Sequence, residues 1–242
     1  MITNPQIFII FEKGQFGTFL ASLYMHHSSY TANDVSGFDS NTIGLNAHKS
    51  GYADHLEHFH NHKDALNLLS MDTDQQIKFF SPLQVEKGLA IHRLASYSFS
   101  RIDFKKYFSN YAVIFVVPKI SRILNYASRW HHSTEKIYDN QWWYKNFKNK
   151  NLEDVPEYFL EKMSIKEKEK WLTKQIKILQ ERSIDSTHEI VVDPDDLVDQ
   201  QKLKNVTTST CKILGVDDFD LPVQDIKTVS YTHLTLPTNS LV

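Results

Sequence analysis

Read as a sequence, the chain is an α/β protein built on a parallel, doubly wound sheet flanked by helices. Three observations predict this. An apolar, β-branched segment, Gln6 to Phe11, runs through a glycine-containing loop straight into a helical pattern. A second continuous apolar segment, Tyr111 to Val117, is followed beyond Pro118 by another helical stripe, and a third, His188 to Val192, precedes a helix that stops at Gly215. Strands alternating with helices make parallel sheets, and continuous apolar runs mark strands buried on both faces.

The first strand is Gln6 to Phe11, and its helix carries Leu20, Leu23, Tyr24 and His27 at helical spacing. Residues 28–51 are rich in Ser, Asn, Asp, Thr and Gly and read as loop. Lys87 to His92 (KGLAIH) is a short strand ending in polar residues, and Tyr111 to Val117 is a central strand stopped by Pro118. Beyond it Ile120, Ile123, Leu124 and Ala127 form a stripe, with Arg122, Asn125 and Arg129 on other faces. Residues 133–163 mix aromatics with Lys, Asn and Glu and read as a helical insertion or lid. Ser164 and Glu167 form a capping box ahead of Leu172, Ile176 and Leu179, which predicts a helix of about eighteen residues. Leu203, Val206, Ile213 and Leu214 predict the last helix, with Gly215 as its stop. The expected domain is therefore one unit, 1–228. The tail 229–242 (VSYTHLTLPTNSLV) fits no amphipathic pattern and resembles a translated sequencing adapter, so it is expected to be non-native or disordered, with the natural C-terminus missing.

Composition narrows the function classes. With 242 residues, 41% hydrophobic and 23% charged, the chain can bury a core and is neither disordered nor a disulfide scaffold. Its 27 basic and 29 acidic residues give a net charge of −2, so no overall basic field draws in nucleic acid or anionic lipid, and any anion site must be local. The longest apolar runs fall far short of the roughly 20 residues of a membrane helix. No signal peptide opens the sequence and Cys211 is its only cysteine, which points to a soluble protein of the cytoplasm.

The segment 11–20, FEKGQFGTFL, carries the strongest chemical signal. Gly14 and Gly17, two of seven glycines, fall in the turn from first strand to first helix. Glycine there lets backbone amides approach an anion, and the helix N-terminus adds its positive dipole end. Lys13 sets a cation beside this loop and Thr18 a hydroxyl at the helix start. The plain alternative is a tight strand-to-helix turn with no ligand. A usual nucleoside-triphosphate loop needs Lys between its last Gly and the Ser or Thr; here Gly17 meets Thr18 directly, and the strand at 114–117 ends in Pro118 and Lys119 instead of a magnesium-binding acid.

In order, KGQFGTFL, KGLAIHR, YAVIFVVPKISRILNYASRW and HEIVVDPDDLVD with KILGVD resemble the strand-loop-helix, second-strand, third-strand and late acidic-loop segments of sulfotransferases, which use 3′-phosphoadenosine 5′-phosphosulfate (PAPS). They cover a third to a half of the chain. The resemblance implies a fold related to P-loop proteins and transfer of a sulfuryl group to a hydroxyl of a small molecule, glycan or polypeptide, without a metal. It implies that Lys13, Gly14, Gln15, Phe16, Gly17, Thr18 and Phe19 hold the 5′-phosphosulfate, that Lys119, Arg122 and Asn125 hold the 3′-phosphate, and that His92, expected at a strand's C-terminal end, is the base. Transfer between two oxygens builds charge on the leaving phosphate, so fixed N–H donors and a cation suit it. The sequence departs from the family's pattern in three places. Gln15 stands where the loop lysine is expected, no arginine follows the third strand in strict alignment, and Asn125 replaces a serine.

Two rival readings stay open: a divergent P-loop kinase or nucleotide hydrolase using ATP, and a non-catalytic binding module that keeps the fold. His55, His58, His60 and His62 have spacings that zinc could use, but no cysteine-containing cluster accompanies them and their neighbours read as surface. His26-His27 and His131-His132 are weaker pairs, and Trp142 and Trp143 read as packing of the insertion.

Overall fold

The fold is that of a computed structural model, which describes residues 1–12, 15–24, 27, 29, 62–80, 88–128 and 164–218. In chain order the elements are β1 (Gln6–Ile10), α1 (Gly17–Tyr24), α2 (His62–Ser70), α3 (Thr73–Phe80), β2 (Ala90–Leu94), β3 (Tyr111–Val116), α4 (123–128), α5 (Ile165–Gln180), β4 (Glu189–Val192) and α6 (Gln200–Leu214). The strands form one parallel sheet of order β2-β1-β3-β4, in which Ile10 aligns with Leu94 on one side and Phe115 on the other. This is the α/β, doubly wound arrangement that the sequence predicts.

Both faces of the sheet are covered because every residue of β1 and β3 is buried. Side chains alternate along a strand, so each strand feeds two cores. Phe8, Ile10, Val113 and Phe115 pack with α2, α4, α5 and the 3₁₀ turn Tyr97–Arg101. Ile7, Ile9, Ala112, Ile114 and Val116 pack with α1 and α6 on the other face. The helices that follow β1 and β3 therefore leave to opposite faces, which makes the gap between these two adjacent strands the switch point of the sheet.

Several local expectations are met. Ser164 and Glu167 form the capping box at the start of α5, and Gly215 closes α6 with a left-handed φ of 63°. Others are corrected. Strand β2 runs on to Leu94, so His92 lies in mid-strand and not at its end. The stripe after Pro118 is Ile123, Tyr126 and Ala127, whereas Ile120 and Leu124 are half exposed. Helices α2 and α3 have no counterpart in the sequence reading. The expected loop over 28–51 apart from Ser29, the insertion 133–163, the tail 229–242, Lys13, Gly14, His26, His55, His58, His60, His131, His132, Trp142 and Trp143 lie outside the described residues, as do the side chains of Thr18 and His62. Among the described residues no helix is long and apolar enough to cross a membrane, and no group of three or more His, Cys, Asp or Glu is arranged to hold a metal.

Candidate functional site

The C-terminal edge of the sheet collects the sequence-predicted loops. Phe11 still pairs with β2 through its amide to Leu94 O at 3.1 Å, and the chain then turns. The turn is tied by two bonds: Gln15 N donates to Glu12 O at 3.3 Å, and Glu12 N donates to Gln15 Oε1 at 2.9 Å. Glu12 and Gln15 are both buried, and Glu12 Oε1 accepts from Tyr97 N at 3.0 Å, where it helps open the 3₁₀ turn. The Tyr97 hydroxyl lies 2.5 Å from both Gln15 Oε1 and Val116 O. One hydroxyl proton thus has two acceptors, one from the β1 loop and one from the end of β3, and the tyrosine bridges the switch point. Burial, and then the nearby Glu12 carboxylate, push the Tyr97 phenol well above its ordinary range, so it stays a neutral donor. Among the described residues the buried Gln15 Nε2 has no hydrogen-bond partner. An unmade bond of this kind costs about 1–3 kcal/mol unless something else accepts it.

Helix α1 opens on a backbone exception. Phe16, and not a described glycine of this loop, takes the left-handed φ, at 64°. Such a conformation in a bulky residue is rare and is held in place by surrounding structure. Phe16 meets that condition by packing against both cores. Gly17 is glycine for a different reason from the one expected: a Cβ there would come within 2.0 Å of the Phe11 ring. The first intrahelical bond is Leu20 N to Phe16 O at 3.0 Å, so the opening amides of α1 face back into the loop. Phe19 is half-buried against the α1-side core.

Beyond β3, the expected phosphate-binding cations stand beside carboxylates. Lys119 Nζ is 3.7 Å from Asp193 Oδ2, and Arg122 is 3.2 Å from Asp195 Oδ2. Both cations are half exposed or more. Asp195 is held from two sides, since its amide donates to Asp193 Oδ1 at 2.9 Å and its Oδ1 accepts from Tyr126 at 2.5 Å. Asn125 is exposed on α4.

His92 is the predicted residue that the structure does not bring to this edge. It is fully buried, stacks on Phe8 with ring centres 4.7 Å apart, and its Nε2 lies 2.6 Å from Gln6 Oε1. Gln6 is the first residue of β1, so the imidazole leans away from the loop. Conversely Glu12, Tyr97 and Tyr126 belong to the site although sequence reasoning passed over them. A carboxylate directly after an apolar strand was the available signal for Glu12; Tyr97 carried none, because its partners are 82 and 85 residues away in the chain.

No protein-family profile matches the chain, and no curated protein sequence matches it. Two solved structures are similar. The sulfotransferase domain from the curacin biosynthetic pathway has a TM-score of 0.44 at 12% identity, covering 93% of this chain and 77% of that one. A sulfotransferase from Alicyclobacillus acidocaldarius has a TM-score of 0.46 at 11% identity, covering 96% of this chain and 92% of that one.

Proposed function

We propose that the chain is a sulfotransferase-like protein that binds a PAPS-type nucleotide at the C-terminal mouth of the sheet, between the loops after β1 and β3. The observation that carries this reading is the strand order. β1 and β3 are adjacent and parallel, and the helices that follow them leave to opposite faces; open α/β sheets bind their ligands in such crevices.

The described residues offer what such a nucleotide needs. The opening amides of α1 suit phosphosulfate oxygens. Lys119 and Arg122, with Asn125 beside them, suit the 3′-phosphate. Their pairs with Asp193 and Asp195 are exposed on the cation side, and exposed pairs hold only about 0–1 kcal/mol, so a dianionic phosphate can displace them. Lys13 and the Thr18 hydroxyl complete the loop on the strength of the sequence resemblance. Once bound, such a nucleotide supplies an activated sulfuryl group with a phosphate as leaving group. The protein's part is to hold fixed donors where negative charge gathers, on groups that need no rearrangement.

The burial of His92 favours a second reading, a binding module with this donor site and no transfer, because a ring sealed into the core has no path to an acceptor hydroxyl. A thermal-shift titration separates the possibilities. The first prediction is that 3′,5′-bisphosphoadenosine raises the melting temperature without magnesium, since ligand at about 100 times its Kd adds about 2.7 kcal/mol. Stabilisation by Mg-ATP alone would point to a kinase or hydrolase, and stabilisation by neither would remove the nucleotide site. Transfer of labelled sulfate from PAPS to phenolic, glycan and peptide acceptors then distinguishes an enzyme from a binding module.

A further inference from the structure

The seam between β1 and β3 departs from its ladder at the mouth of the sheet, and two side chains stand where the next rung belongs. In a parallel pair the hydrogen bonds are evenly spaced, and alternate residues of a strand serve one neighbour. On the β3 side of β1 the series starts with Gln6 N donating to Asn110 O at 3.1 Å, and the register runs unshifted from Gln6 opposite Tyr111 to Ile10 opposite Phe115. Six residues on, the same pattern would send Glu12 N to Val116 O. Instead Glu12 N donates to Gln15 Oε1 at 2.9 Å, and Val116 O takes the Tyr97 hydroxyl at 2.5 Å. Gln15 Oε1 and that hydroxyl are themselves 2.5 Å apart. Three contacts in a row therefore stand where a single N–H···O bond of about 2.9 Å would close the strands. On the far side of β3 the ladder does reach this level. Val117, which two steps past the Ile10–Phe115 pair stands level with Glu12, donates to Val192 O at 2.8 Å.

Both interposed side chains are fixed. Gln15 is fully buried and Tyr97 is 1% exposed, in the same core as Phe115. Tyr97 N donates to Glu12 Oε1 at 3.0 Å, and the 3₁₀ turn that carries it is capped by Ser96, whose hydroxyl accepts from Ser98 N at 3.2 Å. Glu12 thus holds Tyr97 through its carboxylate and Gln15 through its amide, a closed ring of bonds that leaves neither side chain free to withdraw. We propose that Gln15 and Tyr97 are the positioning residues of the crevice: together they form a wedge that keeps β1 and β3 from closing one rung further and so hold the two loops beyond them apart. The proposal deepens the nucleotide reading and rests on it for the ligand alone, since the wedge itself is a matter of strand geometry.

Through-hydrogen-bond scalar couplings in the isotope-labelled full chain read the rung directly. In the unaltered chain the coupling from Gln6 N to the Asn110 carbonyl carbon should be seen, and that from Glu12 N to the Val116 carbonyl carbon should not. Gln15→Ala with Tyr97→Phe leaves a buried donor and a buried acceptor that face each other, and each costs about 1–3 kcal/mol while unmade. The Glu12–Val116 coupling should therefore appear in this variant. By calorimetry it should bind 3′,5′-bisphosphoadenosine at least about tenfold more weakly, because closing the strands moves both loops. Gln15→Ala alone should show the same coupling, since a carbonyl oxygen has a second lone pair, and it carries the test should the double variant fail to fold. A Glu12–Val116 coupling in the unaltered chain, its absence from both variants, or undiminished nucleotide binding once it has appeared would each overturn the proposal. Failure of the unaltered chain to bind the nucleotide would count against the nucleotide reading alone, because the couplings decide the wedge without ligand.

Discussion

His92 shows how a single residue misleads when its partners are distant. In KGLAIHRLAS the imidazole reads as the polar end of a short strand, yet Leu94, two positions on, is 1% exposed and the strand continues to it. Burying an imidazole costs less once it is stacked and hydrogen-bonded, and Phe8 and Gln6 supply both from a strand some 80 residues earlier. Only the register of β1 on β2, which sets Phe8 opposite His92, reveals this, and register is not written in either segment alone. A stability test follows. His92→Ala should lower stability by about 2–4 kcal/mol in urea unfolding, because it opens a cavity and strands the Gln6 oxygen. The pair Gln6→Met with His92→Leu should be milder than His92→Ala, since replacing both partners leaves no lone polar group. Unchanged stability in His92→Ala would remove the packing role and return the residue to candidacy as a base. Gly17 carries a similar lesson: the glycine was legible as special, but its cause, the Phe11 ring, was not.

At the scale of elements, legibility follows how local the determinant is. The α5 start was readable because Ser164 and Glu167 are three residues apart and satisfy each other's amides. The stripe after Pro118 was misphased because Ile120 lies in a 3₁₀ turn, Ile120–Arg122, with three residues per turn, before the α-helix proper begins. Tyr126 then takes the buried position, with its ring in the core and its hydroxyl on Asp195. Helices α2 and α3 are only nine and eight residues long, so their helical spacing, Ala65, Leu68 and Leu69 in α2, runs for barely two turns, with Ala65 and Leu68 as the buried anchors of α2. The α5 cap also has a defined pH response. Hydrogen bonds from Ser164, side chain first and backbone second, hold the Glu167 carboxyl below its ordinary value. A depressed carboxyl contributes stability that is present above its unfolded value and is lost as pH falls through the folded one. Amide exchange in the first turn of α5 should therefore quicken as pH drops below the ordinary glutamate range, after correction for intrinsic exchange. In Ser164→Ala that turn should be weakened already at neutral pH, by about 1 kcal/mol. First-turn exchange indifferent both to acid and to Ser164→Ala would show that the cap does not hold the helix.

On the scale of the whole molecule, strand count and parallel direction were legible from the alternation of strands and helices, whereas the order β2-β1-β3-β4 was not. That order brings the β1 and β3 loops together, and with it the buried web of Glu12, Gln15 and Tyr97, whose partners lie across the fold. The last helix is locked to the first unit in the same non-local way. Tyr24 donates to Thr210 Oγ1 at 2.7 Å, the His27 ring is 2.5 Å from Asp217 O, and Asn110 donates to Leu214 O at 3.0 Å. Helix α6 should then unfold with the sheet and not before it, and the chain's single cysteine reports on this directly. Cys211 is 3% exposed on α6, and burial, followed by the field of Asp218, pushes its thiol from an ordinary 9.0 up to about 11. The raised value means that folding favours the protonated thiol. This contribution is complete below pH 9.0 and is lost as pH rises towards 11, so base should lower the stability of α6 and the sheet together. At pH 8 iodoacetamide finds little thiolate in the folded chain and little access to it, so labelling has to wait for opening. The expected result is alkylation whose rate rises with urea in parallel with the global unfolding equilibrium measured by circular dichroism. Labelling that is fast in native buffer, or insensitive to urea until the midpoint, would show that α6 opens on its own and that the ties to Tyr24, His27 and Asn110 do not bind it to the sheet.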